Sequence, residues 1–377
     1  MSMARILIFY SSLGSGHRSA AQALSEAFRR TQMTDVQVED ALAYGGRLFR
    51  ASMTNWYLWI SQQAPHLYKM LYEATDLEEL DDAIRGNRLL GMLEHAFLSQ
   101  LEQLVKRLAP DAIVCTQQIP ALVLQQLKRK SGLKQPLYLV ITDFMVHSSW
   151  IISGVDGYFL PNELTCRILT ARGLPQTILH VTGIPVRLEI AEPKSADAMR
   201  ARCHLPCDGP LITLFGGGIE PRRVQQMIAQ FVQSPTAGTL AVVAGRNATL
   251  AKTLADAHDG PHMRLRKLGR IDHVDDLVAA SDLVITKAGG LMVSEVLARG
   301  TPMIIIDPIP GQEEWNADVV VAAGAGIQLR MPESVPPAVL YLLTQPERLL
   351  AMRAAARQFG RPRAAQEIVE RVLAELR

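Results

Sequence analysis

The chain is poor in cysteine, in aromatic residues, in net charge and in long apolar runs, and each shortage closes off a class of function. Four cysteines in 377 residues, Cys115, Cys166, Cys203 and Cys207, are too few to staple a fold of this length. No apolar secretory segment precedes the first strand, so a reducing cytoplasm is the expected compartment. The Cys203-His204-Leu205-Pro206-Cys207 stretch lacks a second ligand pair at zinc spacing, and no metal site is expected. Lys+Arg 39 against Asp+Glu 37 leaves a formal charge of +2, without the global electrostatic footprint of nucleic-acid binding. Any attraction to a membrane has to be local. The longest apolar runs, such as LYLVI at 137–141, are of strand length, whereas a spanning helix needs about 20 such residues. The first glycine-rich turn does not complete G-x-G-x-x-G and no Walker A sequence follows, which argues against a dinucleotide oxidoreductase.

What the chain does have is a packed-protein composition, 48% hydrophobic and 20% charged, and a repeated order of short apolar runs and helical stretches. ARILIFYSS, DAIVCTQ (111–117), LYLVITDF (137–144) and VDGYFLPN (155–162) form a first series. PLITLFGGG (210–218), TLAVVAGR (239–246), RLRKLGR (264–270), LVITKAGG (283–290) and PMIIIDPIP (302–310) form a second. Buried-type strands alternating with helices predict parallel sheets covered on both faces, hence an α/β protein of two Rossmann-like, doubly wound domains. Pro185, Glu192, Pro193 and Lys194 break the periodicity and mark the linker. The cleft between the domains is the default ligand site.

Several positions carry chemistry in that arrangement. Gly14-Ser15-Gly16-His17 lies between the first strand and its helix, where glycines admit a ligand to the backbone and His17 points into the cleft. Thr142-Asp143-Phe144 ends a later strand of the same half, so Asp143 could reach His17 and form a dyad that removes a proton from an alcohol. His147 and Trp150 follow; ordinary packing is the alternative for both. In the second half, Gly216-Gly217-Gly218 and Gly289-Gly290 end strands, and the helix opening after Gly289 suits a diphosphate. Glu295, one turn in, can accept hydrogen bonds from a ribose diol, so a nucleotide is implied. In PIPGQEEWN (308–316), Gln312 and Glu313 offer hydrogen bonds to vicinal sugar oxygens; a helix cap is the alternative.

Taken in order, GSGHRSAAQAL, TDFMVHSSW, TGIPV, FGGG, AGRNATL and ITKAGGLMVSEVLARGTPMIIIDPIPGQEEWNAD give the chain its likeness to a known family. It resembles the monogalactosyldiacylglycerol synthase and processive diacylglycerol glucosyltransferase family over nearly its full length. Its C-terminal block is also similar to the N-acetylglucosaminyltransferase that makes lipid II, of the same GT-B architecture and glycosyltransferase family 28. The resemblance implies inverting transfer of a hexose from UDP-glucose or UDP-galactose to diacylglycerol on the cytoplasmic leaflet, with neither metal nor cofactor. It places His17 as base and Asp143 as its support. Gly16, Gly217, Gly218, Gly289, Gly290 and Glu295 fall around the donor, with Gln312, Glu313 and Asn316 at its sugar, Ile271 at the uracil and Arg246 facing the nucleotide.

Residues 1–187 are then the acceptor-binding, membrane-associating domain and 188–377 the UDP-sugar domain, the last helix crossing back to the first. FGGGIEPRR departs from the family, with Glu220-Pro221-Arg222-Arg223 where small residues are usual, which leaves the sugar open. A lipid acceptor calls for an interface, and Tyr44 to Tyr72 holds seven of the 21 aromatic residues. Arg47, Arg50 and Lys69 interleave, a pattern suited to an anionic membrane surface; a buried helix pair is the alternative. Other acceptors, polyprenyl-linked or soluble, and a catalytically silent UDP-sugar-binding regulator are the rival readings. No nucleic-acid partner is expected.

Overall fold

The computed structural model describes residues 3–46, 51–52, 55, 59–60, 64–77, 79–97 and 100–376. They form two compact units: residues 1–189, 310–312 and 363–377 make the first, and 190–309 and 313–362 the second.

The first unit holds strands β1 (Ala4–Tyr10), β2 (Thr34–Asp40), β3 (Ala112–Cys115), β4 (Leu137–Val140), β5 (Gly157–Leu160) and β6 (Leu179–Val181). They pair in parallel in the order β2-β1-β3-β4-β5-β6. Its helices are α1 (Ser15–Arg30), α2 (Pro65–Ala74), α3 (Leu80–Phe97), α4 (Gln100–Leu108), α5 (Gln118–Ser131) and α6 (Glu163–Ala171). Successive strand side chains face opposite ways, so β1 feeds two cores. Ile6 and Ile8 pack with Val114, with Leu24 and Phe28 of α1, and with Ile368 and Val372 near the C terminus. Leu7 and Phe9 pack on the other face with Ile113, Leu139 and, from α5, Val123 and Leu127.

The second unit repeats the scheme. Its strands are β7 (Leu211–Phe215), β8 (Gly238–Val243), β9 (Met263–Leu268), β10 (Leu283–Thr286), β11 (Met303–Ile306) and β12 (Gly326–Leu329). They are parallel, in the order β12-β11-β10-β7-β8-β9. Its helices are α7 (Ala196–Arg202), α8 (Pro221–Val232), α9 (Ala248–Ala255), α10 (Val274–Ala280), α11 (Gly290–Arg299), α12 (Gln312–Ala322), α13 (Val335–Leu343) and α14 (Pro346–Phe359); α15 (Ala364–Glu375) belongs to the first unit. Lys194 is held at 2.5 Å by both Asp275 and Asp276 of α10.

The apolar runs all became strands, but β2, β6 and β12 escaped a reading based on such runs. Each is an edge strand. Central strands are buried on both faces and read as unbroken apolar stretches, whereas β2 alternates buried and exposed residues and β12 buries only its first.

Candidate functional site

In each unit the candidate residues collect at the carboxyl ends of parallel strands, where doubly wound sheets bind ligands. In the first, β1 runs out through Ser11 to Gly14, and α1 opens with no side-chain cap and no acid in its first turn. Its leading N–H groups and positive dipole end are therefore not neutralised from within the helix. His17 sits in that first turn, half-buried.

Its Nδ1 lies 2.9 Å from the Thr116 carbonyl and 3.0 Å from Thr142 Oγ1. A carbonyl only accepts, so Nδ1 carries the proton and Nε2 presents the lone pair. Thr116 grips the same residue again, its hydroxyl donating to the His17 carbonyl at 2.9 Å. Burial pushes the imidazole pKa down to about 4, against the raising effect of the Thr116 contact. The ring is thus neutral near pH 7 with a defined tautomer. Trp150 is tilted against it, ring centroids 6.4 Å apart.

The carboxylate expected to support this ring, Asp143, directly follows Thr142 and is buried at 8% exposure. Nδ1 itself meets a main-chain carbonyl at β3's exit and the hydroxyl of Thr142. Thr116 and Thr142 were not singled out from the sequence. Thr142 stood inside the quoted TDF string; Thr116 had no signal of its own. His147 is a fastener: its Nε2–H donates to the Tyr72 carbonyl at 2.8 Å and its Nδ1 accepts the Ser149 N–H at 3.0 Å. Burial lowers its pKa despite the Tyr72 contact.

In the second unit, the turns after β7 and β8 abut. A Cβ on Gly217 would stand 3.0 Å from the Ala244 carbonyl, so any larger residue would press the two turns apart by a few tenths of an ångström. Asn247 caps α9 through the Leu250 N–H and reaches the Gly217 carbonyl at 3.4 Å. This brings Gly217 and Gly218 beside the exposed Arg246. The half-buried Ile271 follows β9, the neighbour of β8.

On the other side of β7, β10 delivers Lys287, Gly289 and Gly290. Helix α11 starts at Gly290 with Gly289 as its cap residue, again with no side-chain cap and no acid in the first turn. Glu295 is half-buried further along it. The Lys287 stem runs beside Gly218, whose Cβ would lie 3.3 Å from Lys287 Cδ, and its ammonium is 3.9 Å from Glu313 Oε2. The cation therefore lies between the two glycine turns and the buried carboxylate. Lys287 is a third residue not singled out from the sequence, although it stands in ITKAGG.

Gln312 is the first residue of α12 and half-buried. Glu313 is buried, and its Oε2 also accepts the Ile309 N–H at 2.7 Å. Burial raises its pKa, opposed by Lys287 and by the Ile309 N–H. Asn316 is fully buried and donates to the Ala288 carbonyl at 3.0 Å, tying α12 to the Gly289 turn. Among the described residues no group of three or more His, Cys, Asp or Glu is arranged to hold a metal ion.

Of the aromatic stretch, Arg47, Phe49, Arg50, Trp56 and Tyr57 lie outside the described residues. Tyr44 donates to Glu39 at 2.9 Å and packs on the core. Trp59 is 55% exposed and Met70 of α2 68%, with Leu67 and Leu71 exposed beside it in the chain. No helix among the described residues is long and apolar enough to cross a membrane.

Comparison with known proteins agrees with this layout. Residues 17–186 match the model of monogalactosyldiacylglycerol (MGDG) synthase, and residues 222–368 match the glycosyltransferase family 28 C-terminal domain. A processive diacylglycerol beta-glucosyltransferase of Bacillus cereus (strain 03BB102) is 28% identical over 98% of this chain and 94% of its own. The crystal structure of Acinetobacter baumannii MurG aligns with a TM-score of 0.63 at 17% identity, covering 98% of this chain and 99% of that one. A UDP-GlcNAc 2-epimerase from Neisseria meningitidis, bound to UDP-GlcNAc, aligns at 0.62 and 13%, covering 98% and 100%. The fold is GT-B; because transferase and epimerase share it, fold alone does not set the reaction.

Proposed function

Because the chain belongs to the monogalactosyldiacylglycerol synthase family, with a C-terminal part of glycosyltransferase family 28, we propose that it transfers a hexose from UDP-glucose or UDP-galactose to 1,2-diacylglycerol with inversion. The observation that carries the reading is the neutral His17 whose Nδ1–H is committed to Thr116, leaving Nε2 to act. The acceptor hydroxyl attacks the anomeric carbon from the face opposite UDP, its proton passes to Nε2, and the bond to the diphosphate oxygen breaks with both electrons leaving on UDP. Asp143 supports the imidazolium through its charge. The growing negative charge meets the main-chain N–H groups at Gly289 and Gly290 and the Lys287 ammonium, so the proposal invokes neither metal nor cofactor.

In this reading residues 188–362 hold the donor. Gly217, Gly218 and Arg246 face its phosphates, Ile271 the uracil and Glu295 the ribose. Gln312 and Glu313 face the sugar, and Asn316 braces them. Residues 1–187, with Gly16 and His17, receive the lipid, and Trp59, Leu67 and Met70 rest on an anionic membrane surface at the cytoplasmic face. Purified protein incubated with diacylglycerol vesicles and a panel of UDP-sugars should release UDP and form a β-linked glycolipid. Transfer only to a soluble or polyprenyl-linked acceptor, or UDP-sugar binding without release, would overturn the assignment.

The depressed pKa of His17 has a kinetic signature. An imidazole with the ordinary pKa of 6.5 would be only about a tenth deprotonated at pH 5.5. With the pKa near 4, kcat/KM should hold close to its plateau at pH 5.5 and fall only as the pH approaches 4. The sign for folding is the same: the unfolded chain takes up this proton first, so stability is lost as the pH drops from 6.5 towards 4. An acid limb centred near 6.5 would show the ring to be solvated in the working enzyme.

A further inference from the structure

Arg223, one of the bulky residues where the family usually has small ones, stands in the first turn of α8. Its Nη2 donates to Asp307 Oδ1 at 2.7 Å and to the Arg330 carbonyl at 2.8 Å. Its Nε is buried and, among the described residues, has no hydrogen-bond partner. Burying a donor without a partner is unfavourable, so this side chain is held in place by what its other nitrogen grips.

Asp307 is an unusual thing to grip. It follows the last residue of β11 and adopts φ of 50°, in the left-handed region. Aspartate tolerates that region better than most non-glycine residues, but it also precedes Pro308, where chains prefer an extended conformation. Such backbone states persist where neighbouring groups over-determine them. Asp307 begins the loop that leads to Gln312 and Glu313, and the far end of the loop is fixed by the Ile309 N–H to Glu313 Oε2 bond. The loop is thus anchored by its own glutamate and by an arginine from a different helix, and at Gln312 the Tyr68 hydroxyl donates to Oε1 at 3.2 Å.

We propose that the Arg223–Asp307 pair is a positioning device for the sugar-reading loop, setting how the hexose is held while leaving the uridine and diphosphate contacts alone. The proposal rests on the donor reading above. Neither residue touches the substrate; both act through Gln312 and Glu313. Arg223→Ala and Asp307→Asn should each raise the KM for the UDP-hexose about tenfold while the Kd for UDP stays within about twofold. Asparagine keeps the tolerance for positive φ, so Asp307→Asn tests the charge and not the backbone. The double variant should be no worse than either single one, and Arg223→Lys should recover part of the loss.

Titration calorimetry with UDP and with each UDP-hexose, alongside thermal melts, separates the outcomes. Equal weakening of UDP and UDP-hexose, or no change in either, overturns the inference while the donor reading stands. Additive losses in the double variant overturn it too. A wild-type protein that binds neither ligand overturns the donor reading, and the inference with it.

Discussion

His17→Ala is expected to lower transfer by about 10² to 10⁴ at saturating donor and acceptor, the range a positioned general base contributes. UDP affinity should stay within about twofold, because His17 belongs to the first unit and the proposed nucleotide contacts to the second. The split between turnover and binding is what a purely structural role would not produce. Alanine removes only the ring: the Thr116 hydroxyl still bonds the carbonyl of residue 17, so α1 keeps its attachment to β3. His17→Gln sharpens the test, since its side-chain N–H can still face the Thr116 carbonyl but nothing on it takes a proton at neutral pH. If either variant retains full turnover, the acceptor proton leaves by another route and His17 is only a wall of the site. Thr142→Val should cost far less, because the carbonyl of Thr116 alone still fixes the tautomer.

The legible parts of this protein were those written locally. His17 could be read because a glycine turn between an apolar run and a helical stretch places its next residue at a strand's carboxyl end, whatever the rest of the chain does. Gly289 and Gly290 were readable on the same ground, and so was every strand buried on both faces. Three of the four edge strands, β2, β6 and β12, were not; β2 and β12 show water one side and break their apolar pattern accordingly. Thr116 was hidden for a different reason. Its contact with His17 spans 99 residues of chain, and a threonine after a strand has no sequence pattern that distinguishes a ring-holder from a loop residue. Thr142 and Asp143 share one strand exit, and the sequence alone does not reveal that the Thr142 hydroxyl meets the ring. Arg223 was visible as a departure from the family, but its meaning depended on Asp307, and only the packed structure joins them.

Lys287→Met is expected to cut turnover by about a hundredfold to a thousandfold, comparable to losing one preorganised donor at a developing anion. Methionine keeps an unbranched stem to pack beside Gly218, so the change is chiefly the loss of charge. Two explanations compete for any such loss. The ammonium could act on the departing diphosphate, or it could serve only to offset the buried Glu313, whose pKa burial already raises and Lys287 holds down. A second substitution separates them. In the Lys287→Met background, Glu313→Gln removes the uncompensated buried carboxylate while its amide oxygen still accepts the Ile309 N–H. Thermal stability should then recover, and turnover with a poor leaving group should not. If turnover returns with stability, Lys287 neutralises a neighbour and the leaving-group charge is met by the α11 amides alone. If stability returns while turnover stays well below that of Glu313→Gln alone, the cation acts on the substrate, and the second unit stabilises UDP with a point charge as well as a helix dipole.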